Sequence, residues 1–168
     1  MTISMHAAFV PGTVHTLKAL SGILAKAQAH CEARKIDPSV LLQSRLYPDM
    51  FPLTRQVQIA CDMGKGGVAR LAGIDIPKYE DNEASFADLQ ARLARTVDFM
   101  LSVKPEQIDG SEDRDIEIQT PFGPLKFKGQ AYLTTFVLPN VYFHTSMAYG
   151  LLRHNGGEIG KLNFLGAA

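Results

Sequence analysis

What this chain lacks narrows its class first. It has no surplus of either charge: seventeen Lys+Arg stand against seventeen Asp+Glu, so the formal net charge is zero. A chain so balanced has no general electrostatic pull toward nucleic acid or an anionic membrane surface. No apolar run approaches the roughly 18 residues that span a bilayer. The start, MTISMHAAFVPGTV, lacks the basic and apolar stretches of a secretory signal. Cysteine is scarce. Cys31 and Cys61 form no CxxC pair, which suits reduced, buried thiols in a cytosol rather than a disulfide scaffold. HExxH, GxSxG, EF-hand and N-x-Ser/Thr patterns are absent. The glycine run Gly64-Lys65-Gly66-Gly67 has neither the spacing nor the Ser/Thr of a phosphate loop. The expectation is a cytoplasmic protein with no nucleic-acid and no membrane partner.

What is there reads as one domain over residues 1–168, with 46% apolar and 20% charged residues. Four stretches carry a helical period. Val10, Val14, Leu17, Leu20, Leu24, Ala27 and Cys31 make the first stripe, with Pro11 marking its start or a kinked first turn, and Asp37-Pro38 beyond its end. Leu53, Val57, Cys61, Gly64, Val68 and Leu71 make the second, with Gly73 placed for its C-cap. Glycines inside a helix cost about 1 kcal/mol each, so those at 64, 66 and 67 point to a close helix approach or a local break. The third opens on Ser85-Phe86-Ala87-Asp88, a capping box, and runs through Met100. The fourth spans residues 129–155, apolar nearly all round and interrupted by Pro139.

Between the third and fourth the period changes to two. Ile116 and Ile118, then Leu125 and Phe127, alternate with polar residues around Thr120-Pro121-Phe122-Gly123-Pro124, a β-hairpin pattern. Four helices with a hairpin inserted before the last predict an all-α, up-down four-helix bundle.

Chemistry is sought in polar residues set within apolar stripes. Asn140 and His144 are four apart, hence on one face of the fourth helix, beside Phe136, Met147 and Leu151. Gln58 and Asp62 repeat that spacing on the second helix. A buried imidazole or carboxamide is costly unless hydrogen-bonded. The favoured pairing is therefore a clasp of His144 with Asp62, or failing that with Gln58; general-base and metal-binding roles are the alternatives. Tyr149, Arg153 and Lys161 are candidates to order that network or bind an anion. His6, His15 and His30 share no ligand spacing.

The run LPNVYFHTSMAYGLLRHNGGEIGKLNFLG, with PDMFPLTRQVQIACD upstream, resembles an uncharacterised bacterial domain-of-unknown-function family related to the DinB/YfiT-like proteins. The resemblance covers the whole chain and implies the DinB-like four-helix bundle. It also implies where a divalent metal would sit, since the wider group often uses three histidines, one from the second helix and two from an HxxxH on the fourth. Some of its members are thiol-dependent transferases. Here His144 takes the place of the second histidine of that HxxxH, Asn140 the first, and Asp62 or Gln58 the one on the second helix. Carboxamides are poor ligands for zinc-like metals. The expectation is no cofactor and no tightly bound metal; should one bind, its ligands are Asp62, Asn140 and His144. The wider group also commonly dimerises. Three functions follow: a small-molecule site in the bundle core, a homodimeric structural or interaction protein without a catalytic site, or a divalent-metal-dependent transferase or hydrolase.

Overall fold

The fold, a computed structural model, is described over residues 3–167. The long helices are α1 (Met5–Arg34), α3 (Leu53–Ala72), α4 (Phe86–Ser102) and α7 (Leu138–His154). Short helical turns punctuate the connections: α2 (Pro38–Leu42), α5 (Pro105–Ile108), α6 (Gly129–Ala131) and α8 (Lys161–Phe164). Strands β1 (Asp115–Thr120) and β2 (Gly123–Lys128) pair antiparallel, Ile116 opposite Phe127 and Ile118 opposite Leu125. This is the expected helical bundle with its inserted hairpin. Among the described residues no helix is long and apolar enough to cross a membrane.

The helix ends follow the local chemistry. Ser85 accepts from the Asp88 backbone N–H while Asp88 accepts from that of Ser85, closing the expected capping box. Gly73 ends α3 at φ 69°, a left-handed conformation that glycine adopts without penalty. The start of α1 differs from expectation. Ser4 caps the helix through its hydroxyl, and Pro11 lies inside it rather than at its first turn. Met5, Phe9 and Val10 are buried there, and that burial outweighs the backbone bond the proline removes.

Around the bundle, α3 packs on α7 and α4, while α1 packs on α4 and α7 from the opposite corner. The glycines of α3 mark a close approach, and the helix runs through them unbroken. A Cβ at Gly67 would come within 2.7 Å of Phe9 and 2.9 Å of Val137; one at Gly64 would meet Met100 at 3.0 Å. Those contacts also fix direction. Gly67 lies by Phe9 and Gly64 by Thr13 and Leu17, so α3 opposes α1; Ser21 bonds Gln90 while Leu17 nears Met100, so α4 opposes α1 as well. Thus α4 runs parallel to α3, a refinement of the up-down order. The connection, residues 73–85, returns along α3 as a strap to make this possible.

Pro139 has the effect expected of it. The chain enters α7 through a π-helical segment, Tyr132–Val137, and Pro139 stands just beyond it, so the residue that has no N–H to give to the preceding turn sits where the helical ladder changes its step. Tyr132 and Phe136 stack there at 5.9 Å, and Phe127 of the hairpin leans on both. The hairpin is anchored by its apolar base.

Candidate functional site

The buried polar centre between α3 and α7 is a pair that the sequence did not single out. His144 Nδ1 lies 2.7 Å from Oε1 of Gln56, and both residues are buried. The Gln56 amide nitrogen donates at 3.0 Å to the carbonyl of Phe51, in the loop before α3. Since a carbonyl only accepts, this second bond fixes the Gln56 amide with its NH₂ toward Phe51 and its oxygen toward His144. An amide oxygen also only accepts, so Nδ1 is the nitrogen that carries the proton. Nε2 makes no hydrogen bond among the described residues. Burial, with the charge of nearby Arg55, pushes the His144 pKa below its ordinary value. The imidazole is therefore neutral near pH 7, with a lone pair on Nε2.

Neither Asp62 nor Gln58 bonds to His144. Each residue advances an α-helix by about 100°, so Asp62 points roughly 120° away from Gln56, toward α4 and the strap. There it meets Arg92 at 2.8 Å and Lys65 at 2.9 Å. Gln58 accepts from Arg55 and donates to Glu83. Arg92, itself buried, also binds Glu83 at 2.8 Å, Asp81 at 3.0 Å and the Glu80 carbonyl at 3.2 Å. Burial works against the Arg92 charge, but the bonded carboxylates Glu83 and Asp62 outweigh it and raise its pKa. Tyr79 of the strap adds its ring beneath Arg95 at 4.1 Å and Lys65 at 4.6 Å. This network holds the strap on α3 and α4. Its position in an apolar stripe, between Leu89 and Leu93, was the available signal for Arg92.

The remaining predicted residues have local partners. Asn140, half-buried, donates to the Phe136 carbonyl at 2.7 Å and so ties α7 back to the π segment. Tyr149 packs its ring edge-on to Phe164 at 5.8 Å, and Arg153 donates to the Gly157 carbonyl at 3.0 Å. Lys161 is exposed in the first turn of α8. Tyr149 and Arg153 serve the C-terminal turn, on a face of α7 other than that of His144, and Lys161 lies beyond α7 altogether. Cys61 is wholly buried, and burial pushes its thiol up to about 12, which leaves it inert. Cys31 is buried as well.

The residues that the resemblance places at a metal are not brought together here: Asp62 is engaged with two cations and the Asn140 amide is turned to a carbonyl. Among the described residues no group of three His, Cys, Asp or Glu side chains is gathered to hold an ion. What the geometry does offer is one oriented acceptor nitrogen flanked by aromatic surface. Phe143 meets the His144 ring edge-on at 5.1 Å, and Phe143 and Phe51 are each about half exposed.

Comparison with known proteins agrees with the fold. A family model described as Domain of unknown function (DUF1993) matches residues 5–165. The crystal structure of a DinB family member protein from Shewanella denitrificans is similar at 40% identity and a TM-score of 0.88, covering 97% of this chain and 92% of that one. No curated protein matches the chain.

Proposed function

The chain belongs to the family of Domain of unknown function (DUF1993), and from that premise we propose that it binds a small molecule at the His144–Gln56 end of the α3–α7 interface. The observation that carries this reading is the tautomer: Gln56 holds the Nδ1 proton and leaves Nε2 as a bare acceptor. Such a nitrogen receives a ligand N–H or O–H, and the same lone pair takes a proton in general-base chemistry. No resident metal or organic cofactor is part of the proposal. The metal-dependent transferase or hydrolase reading loses its ligand set in Asp62 and Asn140.

A second reading, a homodimer whose interface covers His144, is favoured by the half-exposed Phe51 and Phe143 beside it. One experiment separates the two. Fragments bearing N–H or O–H donors are screened by ¹⁵N NMR of labelled histidine, alongside light scattering for mass. Fragment-induced shifts of His144 Nε2 support the small-molecule site, provided His144→Phe abolishes binding. A dimer with His144 unresponsive to every fragment supports the interface instead.

A further inference from the structure

His144 has a second unbonded acceptor for a neighbour, and the pair narrows what the site can hold. Asn140 lies one turn before His144 on α7 and only about 40° from it around the axis, at about 100° per residue. Its amide nitrogen donates to the Phe136 carbonyl at 2.7 Å. That carbonyl only accepts, so the NH₂ end is fixed there and Oδ1 is the free end. Among the described residues neither Asn140 Oδ1 nor His144 Nε2 receives a hydrogen bond. The fully buried side-chain atoms without a partner are Thr13 Oγ1, Arg92 Nε and Ser111 Oγ, and these two are not among them. His144 is 7% exposed and Asn140 is half-buried. Each therefore reaches the surface with its unbonded end.

The surroundings decide what such a pair can receive. Phe143, Met147, Asn140 and His144 follow one another around α7 within an arc of about 100°. The arc passes from the half-exposed Phe143 ring to the buried imidazole against α3. Both acceptors thus stand at the margin of an apolar strip. From Gly129 to Leu152 the chain has no Asp, Glu, Lys or Arg, so α7 brings no charge to this strip. A ligand carboxylate or phosphate would set its own lone pairs against these two. A ligand cation would meet Arg55, which is paired with Asp81 yet still disfavours protonation of the His144 ring. Neither sign of charge suits the site. An uncharged molecule with two donors about one helical turn apart suits both acceptors.

We propose that the site receives an uncharged ligand with two N–H or O–H donors, one for His144 Nε2 and one for Asn140 Oδ1, and an apolar body against Phe143. It rests on His144 being a small-molecule site, as proposed above. The probes are resorcinol, a neutral ring with two O–H donors in meta positions; 3-methoxyphenol, which keeps one donor; and 1,3-dimethoxybenzene, which has none. Benzoate and benzylamine supply the two charges. Each is titrated against ¹⁵N-labelled protein, with dissociation constants read from the His144 ring and the Asn140 side-chain amide. Resorcinol should bind at least about fourfold tighter than 3-methoxyphenol, beyond the roughly twofold that two equivalent hydroxyls give by chance. Dimethoxybenzene should not saturate, and both charged probes should bind more weakly than resorcinol. Asn140→Leu should reduce the resorcinol advantage to that chance factor; should this variant fail to fold, the probe series on the parent carries the test. The two-donor proposal is overturned, with the small-molecule site left standing, if 3-methoxyphenol shifts His144 and binds within twofold of resorcinol. It is overturned likewise if either charged probe binds tighter than resorcinol, or if a folded Asn140→Leu keeps the full advantage. If no probe moves the His144 resonances up to its solubility limit, both readings fall together.

Discussion

His144 Nδ1 and Gln56 Oε1 stand 2.7 Å apart, joining the middle of α7 to the first turn of α3. Because Gln56 is itself held by the Phe51 carbonyl, one hydrogen-bond chain links the pre-α3 loop, α3 and α7. Cutting it leaves a buried polar group without a partner. His144→Ala and Gln56→Ala should each cost about 1–3 kcal/mol. Denaturant unfolding of the singles and the double should show coupling of at least about 0.5 kcal/mol, whereas His144→Ala with Asp62→Ala should add.

Stability should depend on pH through this same histidine. Burial first, and then Arg55, lowers its pKa in the fold. The unfolded chain therefore binds the proton more readily than the folded one. The sign follows: stability attributable to His144 is present above the ordinary histidine pKa and is lost as pH falls through it toward the lowered folded value. Comparing unfolding of the parent and of His144→Phe between neutral and mildly acidic pH reads this directly. The parent should lose more stability on acidification than the variant does.

Arg92 should be the residue on which the strap depends. Its side chain is 2% exposed and engages three carboxylates, of which Glu83 is nearly as buried. Arg92→Met should approach the roughly 3–5 kcal/mol of a broken buried pair, moderated by the solvent that Asp62 and Asp81 still reach. Arg92→Lys keeps the charge but loses the planar fork, so a substantial part of the loss should remain. Limited proteolysis should find cleavage within residues 73–85 in Arg92→Met before the parent is cut there.

Two glycines on neighbouring helices should respond in opposite senses. Gly67→Ala forces a methyl against Phe9 and Val137, and should cost about 1–3 kcal/mol as overpacking does. Gly22→Ala meets open space on α1 and should gain up to about 1 kcal/mol from helix propensity. Melting temperatures of the two variants check both signs.

The sequence carried the bundle because each long helix has a stripe whose period survives folding, and the hairpin because Ile116–Phe127 changes that period to two. It did not carry the direction of α4. Periodicity says which face is buried, and the strap that reverses α4 is held by Arg92, Asp81 and Glu83, residues of ordinary surface type. The site was legible on one side alone. His144 stood out as a polar residue on an apolar face, but α3 is buried nearly all round, so its stripe did not say which glutamine faced α7. The row Gln56, Ala60, Met63 and Gly67 was the available signal, since Gly67 meets Val137 at the entrance to α7. Charge also misled. A carboxylate is the natural partner of a histidine, yet Asp62 had stronger claims on it from Arg92 and Lys65.

The central claim is that His144 presents a bare Nε2, and long-range ¹H–¹⁵N correlation of the imidazole near pH 7.5 tests it most directly. The account predicts one neutral tautomer, with the proton on Nδ1, a pyridine-like Nε2 resonance, and loss of that preference in Gln56→Leu. A proton on Nε2, or an imidazolium at that pH, would contradict it.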